Sequence, residues 1–398
     1  MLIQRRTFLQ TGALATASLF VPKFLKAFEA PRAVPPGNKV LVVLQLTGGN
    51  DGLNTVVPVR NDLYYKARPT LGLQREKTLA LRDDVGLNPA LTAFADAYHD
   101  GSLGILNSVG YPDPDRSHFR SMDIWQSASA SNEYRNTGWL GRYLDAQCHD
   151  CAAATQALEI DDTLSLALKG AQMNGMAMRD PKLLFGLANE RFFRDAAGQH
   201  TGHHHEGADY LYKTMSATLS GADHIAQKAG QRKNAPAYPN SPLGKAFSTI
   251  ASLILSDLDT KVYYVSQAGY DTHINQELYH QRALKEVNDS VGTFIKDLKE
   301  NHRFDDVLLV TFSEFGRRVG ENASKGTDHG CANNLFLFGG GLKQKGILNA
   351  LPNLADLDQG DIKHTVDFRQ VYATVLQKWL GTSPAEVLGG RFETLNFI

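Results

Sequence analysis

The sequence predicts an α/β protein with a mostly parallel sheet flanked by helices on both faces and carrying an inserted subdomain. Three observations predict it. Apolar, strand-like runs at residues 39–46, 262–265 and 307–312 each end abruptly in residues that bind ligands. The last two runs are separated by a strongly amphipathic helix in which Leu284, Val287, Val291, Phe294, Ile295 and Leu298 recur at three- and four-residue steps. Strand, helix and strand in that order form a βαβ unit, whose strands run parallel. In open α/β sheets ligands bind beyond the carboxyl ends of the strands, so residues distant in sequence can meet at one rim.

Taken in order, the elements begin with Gln4-Arg5-Arg6-Thr7-Phe8-Leu9, followed by a mild apolar stretch up to Val21. That stretch is too short to span a bilayer. Paired arginines before Phe-Leu resemble a twin-arginine export signal, so residues 1–30 are expected to be a signal segment recognised by the Tat translocase, giving a periplasmic or otherwise exported protein. Membrane attachment is expected only through an uncleaved signal. The alternative is an ordinary cytosolic helix. Residues 31–398 then read as a single α/β domain. Its first strand starts near Lys39, and a second buried strand covers residues 104–109. The loop Gly110-Tyr111-Pro112-Asp113-Pro114-Asp115-Arg116 leads into Ser117-His118-Phe119-Arg120 at a helix start. Residues from about 148 to 242 lack clean periodicity and read as an insertion. A late helix carries Phe368, Val371, Tyr372, Val375, Leu376 and Trp379 and stops at Gly381.

Composition narrows the function classes. In 398 residues, 42% are hydrophobic and 21% charged, which suits a large core and excludes a disordered chain. A net charge of −1 leaves no electrostatic basis for a nucleic-acid partner. Cys148 and Cys151 form a lone CxxC, a weak zinc signal better read as inert thiols or a local disulfide. His203-His204-His205 lies in a Gly-rich loop and reads as exposed.

The strand ends carry the chemistry. Asp51 sits within Gly48-Gly49-Asn50-Asp51-Gly52, where glycines let the backbone bring a carboxylate close to a ligand; an Asx turn is the plain alternative. Asp271 and His273 are two apart, so in extended backbone both can reach one ion; otherwise Asp271 is a helix cap. Glu314 ends a strand, where an unpaired buried carboxylate is costly. A metal or a following arginine must pair with it, and Arg317 or Arg318 could equally grip an anionic substrate. His329, in Thr327-Asp328-His329-Gly330, is the better ligand of its cluster, with Asp328 a ligand or the group that orients it. Together Asp51, Asp271, His273, Glu314 and His329 are the candidate metal ligands, for one or two divalent ions. Zinc is favoured where imidazole contributes. Ser117, at a helix N-terminus that attracts anions, is the candidate nucleophile, with Arg116, Arg120 or Arg317 steadying the transition state. Ser117 could also be a simple cap, and Ser121 is a weaker candidate of the same kind.

At residues 48–54, 117–125, 269–273 and 311–317 the chain resembles the DUF1501 family of exported bacterial proteins, over a span from about Lys39 to the C-terminus. That family is remotely similar to the alkaline phosphatase and sulfatase superfamily. The resemblance implies an alkaline phosphatase-like domain that cleaves a small anionic phosphate or sulfate ester. It assigns metal binding to Asp51, Asp271, His273 and His329, and nucleophilic attack to Ser117. Where the superfamily has Asp-His after the next strand, this chain has Glu314-Phe315. Glu314 can replace the carboxylate; Phe315 cannot ligate. A non-catalytic binding or assembly protein on a degenerate enzyme fold is the alternative implied by that substitution.

Overall fold

Alternation along the first strand, β1 (Val40–Thr47), sets the layers. Val40, Val42, Leu44 and Leu46 point into one hydrophobic core, whereas Leu41 and Val43 point into another. A strand apolar on both faces must be covered on both faces. The computed structural model describes residues 39–147, 154–190, 235–256 and 258–398, with a few positions between 219 and 228. The signal segment, Cys148, Cys151 and the histidine tract at 203–205 lie outside the described residues.

The main sheet has nine strands among the described residues. After β1 come β2 (Leu103–Gly110), β3 (Ala157–Glu159), β4 (Met176–Ala177), β5 (Val262–Ala268), β6 (Val307–Phe312), β7 (Asn333–Phe338), β8 (Gly346–Ile347) and β9 (Val366–Asp367). Their spatial order is β8-β2-β7-β6-β1-β5-β3-β4, with β9 also paired to β2. β1 lies between β5 and β6, parallel to both. The βαβ unit therefore closes over β1 rather than joining neighbours. β7 is antiparallel to β2 and β6, so β2 runs in the same direction as β6.

Helices α1 (Thr92–His99), α4 (Pro242–Leu255) and α5 (Gln276–Glu300) cover the Val42 face. Their apolar stripes meet through pairs such as Phe247 and Phe294, whose ring centroids are 5.0 Å apart. Helices α2 (His118–Ser127), α3 (Trp139–Gln147) and α6 (Phe368–Thr374) cover the Val43 face. There Trp125 stacks between Phe312 and Phe368 at 5.1 and 4.3 Å. Each such side chain contributes roughly 1.5–3 kcal/mol of burial. The mostly parallel α/β sheet with helices on both faces is thus observed. No described helix is long and apolar enough to cross a membrane.

Two details add to the expected layout. The segment read as an insertion contributes β3 and β4 to the sheet, where β3 pairs in parallel with β5. Runs of two or three residues are too short to show periodicity. The late helix continues past Thr374 as a π-helical turn, Val375–Trp379, before Gly381 at φ +70°.

Candidate metal centre

Parallel β1, β2, β5 and β6 all end at one rim, and reversed β7 begins there. Five loops therefore converge: residues 48–52, 111–117, 269–275, 313–318 and 327–332. Gly48, at φ +119°, makes the approach possible. A Cβ there would lie 2.4 Å from the Asp271 backbone nitrogen.

Four side chains, from two of these loops and the first residue of α2, meet above this junction. Asp271 Oδ1 is 3.1 Å from His273 Nε2 and 3.3 Å from His329 Nε2. The two Nε2 atoms are 2.9 Å apart. His118 Nε2 approaches the other Asp271 oxygen, Oδ2, at 3.6 Å. The ligand atoms of His118, Asp271 and His329 all lie within 4.8 Å of one another. The group is half open: Asp271 is 50% exposed and His329 21%.

Each imidazole is fixed from behind through Nδ1. His118 Nδ1 is 2.9 Å from Glu314 Oε1, His273 Nδ1 is 3.2 Å from Asp328 Oδ1, and His329 Nδ1 is 2.8 Å from the Arg116 carbonyl. Carboxylates and carbonyls only accept, so Nδ1 carries a proton, and in the neutral ring Nε2 presents a lone pair. The lone pairs of His273 and His329 then face each other and an anionic oxygen. Three such atoms this close suit either a shared proton or a cation. Tetrahedral zinc with ligands at about 2.0–2.1 Å separates them by about 3.3 Å; the observed separations run from 2.9 Å up to that value. An Nδ1–H held by a carboxylate or carbonyl is also how zinc-binding histidines are oriented. The residues fit a divalent ion.

Arg317 organises the loops. Its buried guanidinium donates to the Gly49 carbonyl at 2.7 Å, Thr327 at 2.8 Å and Tyr270 at 2.9 Å, as well as to Gly48. It also donates to Asp271 Oδ1 at 2.8 Å. All three of its nitrogens donate within the protein and the side chain is buried, so it is committed to the loops rather than to a substrate. Burial works to raise the Asp271 carboxyl, but the Arg317 hydrogen bond and charge outweigh it and hold the group below the ordinary range. The hydrogen bond to Glu314 raises His118 against the opposing effect of burial, whereas burial lowers His329. Asp328 is lowered, first by its hydrogen bond from Asn322.

The expected ligands divide accordingly. Asp271, His273 and His329 meet as expected. Glu314 is fully buried and turned back, accepting from Gly48 N at 2.8 Å and holding His118; it orients a site residue. Asp51 caps the short helix Gly52–Thr55 and pairs with buried Arg68 at 2.6 Å, with Gln276 donating to it as well. It therefore belongs to a polar network beneath the rim, not to the cluster. That network reaches the site through Gln276 Oε1, which accepts from Thr272 at 3.1 Å and from Thr327.

The expected catalytic residues divide as well. Ser117 is exposed at the N-cap of α2 and makes no cap hydrogen bond. Arg116 lends its carbonyl to His329, while its side chain pairs with buried Asp361. Arg120 points the other way, donating to the carbonyls of Ala130, Ser131 and Glu133 and stacking on Tyr134 at 3.9 Å. Arg120 cannot steady an anion at this rim. Ser121 is buried against Tyr111 at 2.7 Å. His118 was the residue missed, although a buried Glu314 needing a partner was a signal for it. Phe315 does not fill the centre. It is buried, packing its ring against His118 and His329 at 4.9 and 4.5 Å, and forms a floor.

A family model described as protein of unknown function, DUF1501, matches residues 38–391. Comparison with curated proteins finds no match. Among solved structures, the C-terminal periplasmic domain of EcEptC from Escherichia coli, in complex with Zn, is similar at 11% identity, covering 77% of this chain and 74% of that one, with a TM-score of 0.37. Lipoteichoic acid synthase LtaP from Listeria monocytogenes matches at 11% identity over 88% and 76%, with a TM-score of 0.40. PsFucS1 sulfatase from Pseudoalteromonas sp. matches at 11% identity over 90% and 70%, with a TM-score of 0.41. Similarity of this degree leaves the chemistry to be argued from the side chains of the rim.

Proposed function

The chain belongs to the DUF1501 family, and for it we propose metal-dependent hydrolysis of a phosphate or sulfate ester. The observation that carries this reading is the meeting of Asp271 Oδ1, His273 Nε2 and His329 Nε2 within 3.3 Å, each imidazole fixed through Nδ1. Three protein ligands with an open side are the pattern of catalytic rather than structural zinc sites. Bound there, the ion supplies Lewis-acid polarisation of an ester oxygen. Arg317 orients Asp271, Asp328 orients His273, and the Arg116 carbonyl orients His329. Arg116 and Arg318, which are 36% and 42% exposed beside Asp361, attract the anionic end of the ester. Attack comes from the start of α2, where Ser117 and His118 stand side by side.

The alternative, a binding or assembly protein, draws on Phe315 in place of a ligating residue. A floor beneath two imidazoles leaves the centre accessible, which favours the hydrolase. Export by the twin-arginine route is part of the same proposal and rests on Arg5-Arg6 and the residues after them. Replacing both arginines by lysine should keep the protein in the cytoplasm on fractionation.

The test is metal analysis of natively produced protein together with assays of aryl phosphates and aryl sulfates. Close to one zinc per chain is expected, lost in His329→Asn, with turnover of at least one ester class. Protein that neither takes up a divalent ion nor cleaves either class would end the proposal.

A further inference from the structure

Resting on the metal-dependent reading, we propose that Gln276, the first residue of α5, is a positioning residue that holds the two ligand-bearing loops in register for the ion. Its side chain is fully buried, and each end of its amide has a fixed role. The Asp51 carboxylate can only accept, so the atom donating to it is Nε2, and Oε1 is the end that faces the rim. Oε1 takes one hydroxyl from each loop. Thr272, between Asp271 and His273, donates at 3.1 Å, and Thr327, two residues before His329, donates as well. Both threonines are buried, so water does not replace the glutamine as their partner.

The backbone repeats the tie. A first helical residue has no N–H partner within its own helix. That of Gln276 donates to the Lys325 carbonyl at 2.9 Å, and Thr327 N donates to the Thr272 carbonyl at 3.2 Å. Arg317 reaches the same two loops from the β6 side, through the Tyr270 and Thr327 carbonyls. Gln276 is its counterpart from the α5 side, with the Asp51–Arg68 pair anchoring the far end of its amide. Asp271 Oδ1 and His273 Nε2 belong to one loop and His329 Nε2 to the other, so the 3.3 and 2.9 Å separations across the loops depend on this clamp. The clamp spaces the ligands in advance, so metal binding does not have to order two loops.

To test this, full-length metal-free protein is titrated with zinc against a chelator, alongside amide hydrogen exchange. Gln276→Met removes the clamp, whereas Thr272→Val with Thr327→Val removes only its two arms and leaves the glutamine on Asp51. Each is expected to weaken zinc binding by about 10–100-fold, the range for groups that orient ligands without touching the ion. Adding both threonine changes to Gln276→Met should weaken it no further, because residues acting through one contact are not additive. In the metal-free variants the Thr327 amide should exchange faster, while amides in the middle of α5 stay as protected as in the wild type. Wild-type zinc affinity in the double threonine variant overturns the inference and leaves the hydrolase reading intact, and so do effects that multiply in the triple variant. A lower urea midpoint in Gln276→Met with unchanged affinity also overturns it, since the residue then only stabilises the fold. The double threonine variant decides the matter even if Gln276→Met folds poorly. Wild-type protein that takes up no zinc overturns both.

Discussion

Arg317 Nη2 sits 2.8 Å from Asp271 Oδ1, joining a guanidinium with no exposed side-chain surface to a carboxylate that is half open to solvent. The same guanidinium holds carbonyls of the first, third and fifth rim loops. One buried cation thus sets both the shape of the rim and the direction of its central carboxylate. Arg317→Met leaves those carbonyls buried without donors. It is expected to destabilise the fold by on the order of 3–5 kcal/mol, read as a lower urea midpoint, and to abolish metal uptake. Arg317→Lys restores charge but supplies only three donors in place of five, so it should recover little of the loss. Full stability in Arg317→Met would contradict this account.

Asp51 and Arg68 form a second buried pair at 2.6 Å. Burial acts to raise Asp51, but the Arg68 charge and hydrogen bond hold it below the ordinary carboxylate range. Removing one partner of such a pair costs about 3–5 kcal/mol. Asp51→Ala should therefore unfold at markedly lower urea. Where it remains folded it should keep its zinc, because Asp51 lies outside the cluster. A stable Asp51→Ala protein that has lost its metal would restore Asp51 as a ligand.

Asp328 holds His273 Nδ1 at 3.2 Å and is itself held by Asn322 at 3.1 Å. Groups that orient a ligand through its far nitrogen typically affect metal affinity by about 10–100-fold. Asp328→Ala should weaken zinc binding by that factor in competition with a chelator, with little change in Tm of the metal-free protein. Unchanged affinity would show that His273 is not a ligand or needs no orienting.

His280, buried in α5, has its imidazole lowered to about 4, chiefly by burial. Its Nε2 is 2.9 Å from Asn50 Oδ1, in the network beneath the rim. The folded state keeps it neutral while the unfolded chain takes up a proton below about 6.5. Stability from this group is therefore complete above about pH 6.5 and declines as pH falls towards about 4, by on the order of 3 kcal/mol in all. Wild-type Tm should drop across that window, and in His280→Gln the slope should flatten. Equal slopes would assign the acid sensitivity to other groups.

Much of this rim could be read from the chain because it is local. Apolar runs ending in Asp271 and Glu314 announce strands and what lies beyond them, and the spacing of Asp271 and His273 announces a shared target. The paired arginine of Asp51 could not be read, since Arg68 lies on a turn whose approach depends on how the first loop folds back. Direction was also hidden. The carboxylate of Glu314 was anticipated, but its turn inward, away from the open side of the rim and onto His118, depends on the Gly48 amide across the sheet. Arg317 appeared as a choice between substrate and Glu314, whereas it is engaged by Asp271 and backbone carbonyls, which no residue pattern records. β3 and β4 escaped notice because their short pairing is imposed by β5.

The reversal of β7 between β6 and β2 lets a turn that precedes a strand reach the same rim as loops that follow strands. That turn is nonetheless pinned to the start of α5, where Gln276 N donates to the Lys325 carbonyl and Thr327 donates to Gln276 Oε1. The two loops that carry Asp271 and His329 share one anchor, so among relatives a change of length in either should be matched by a change in the other.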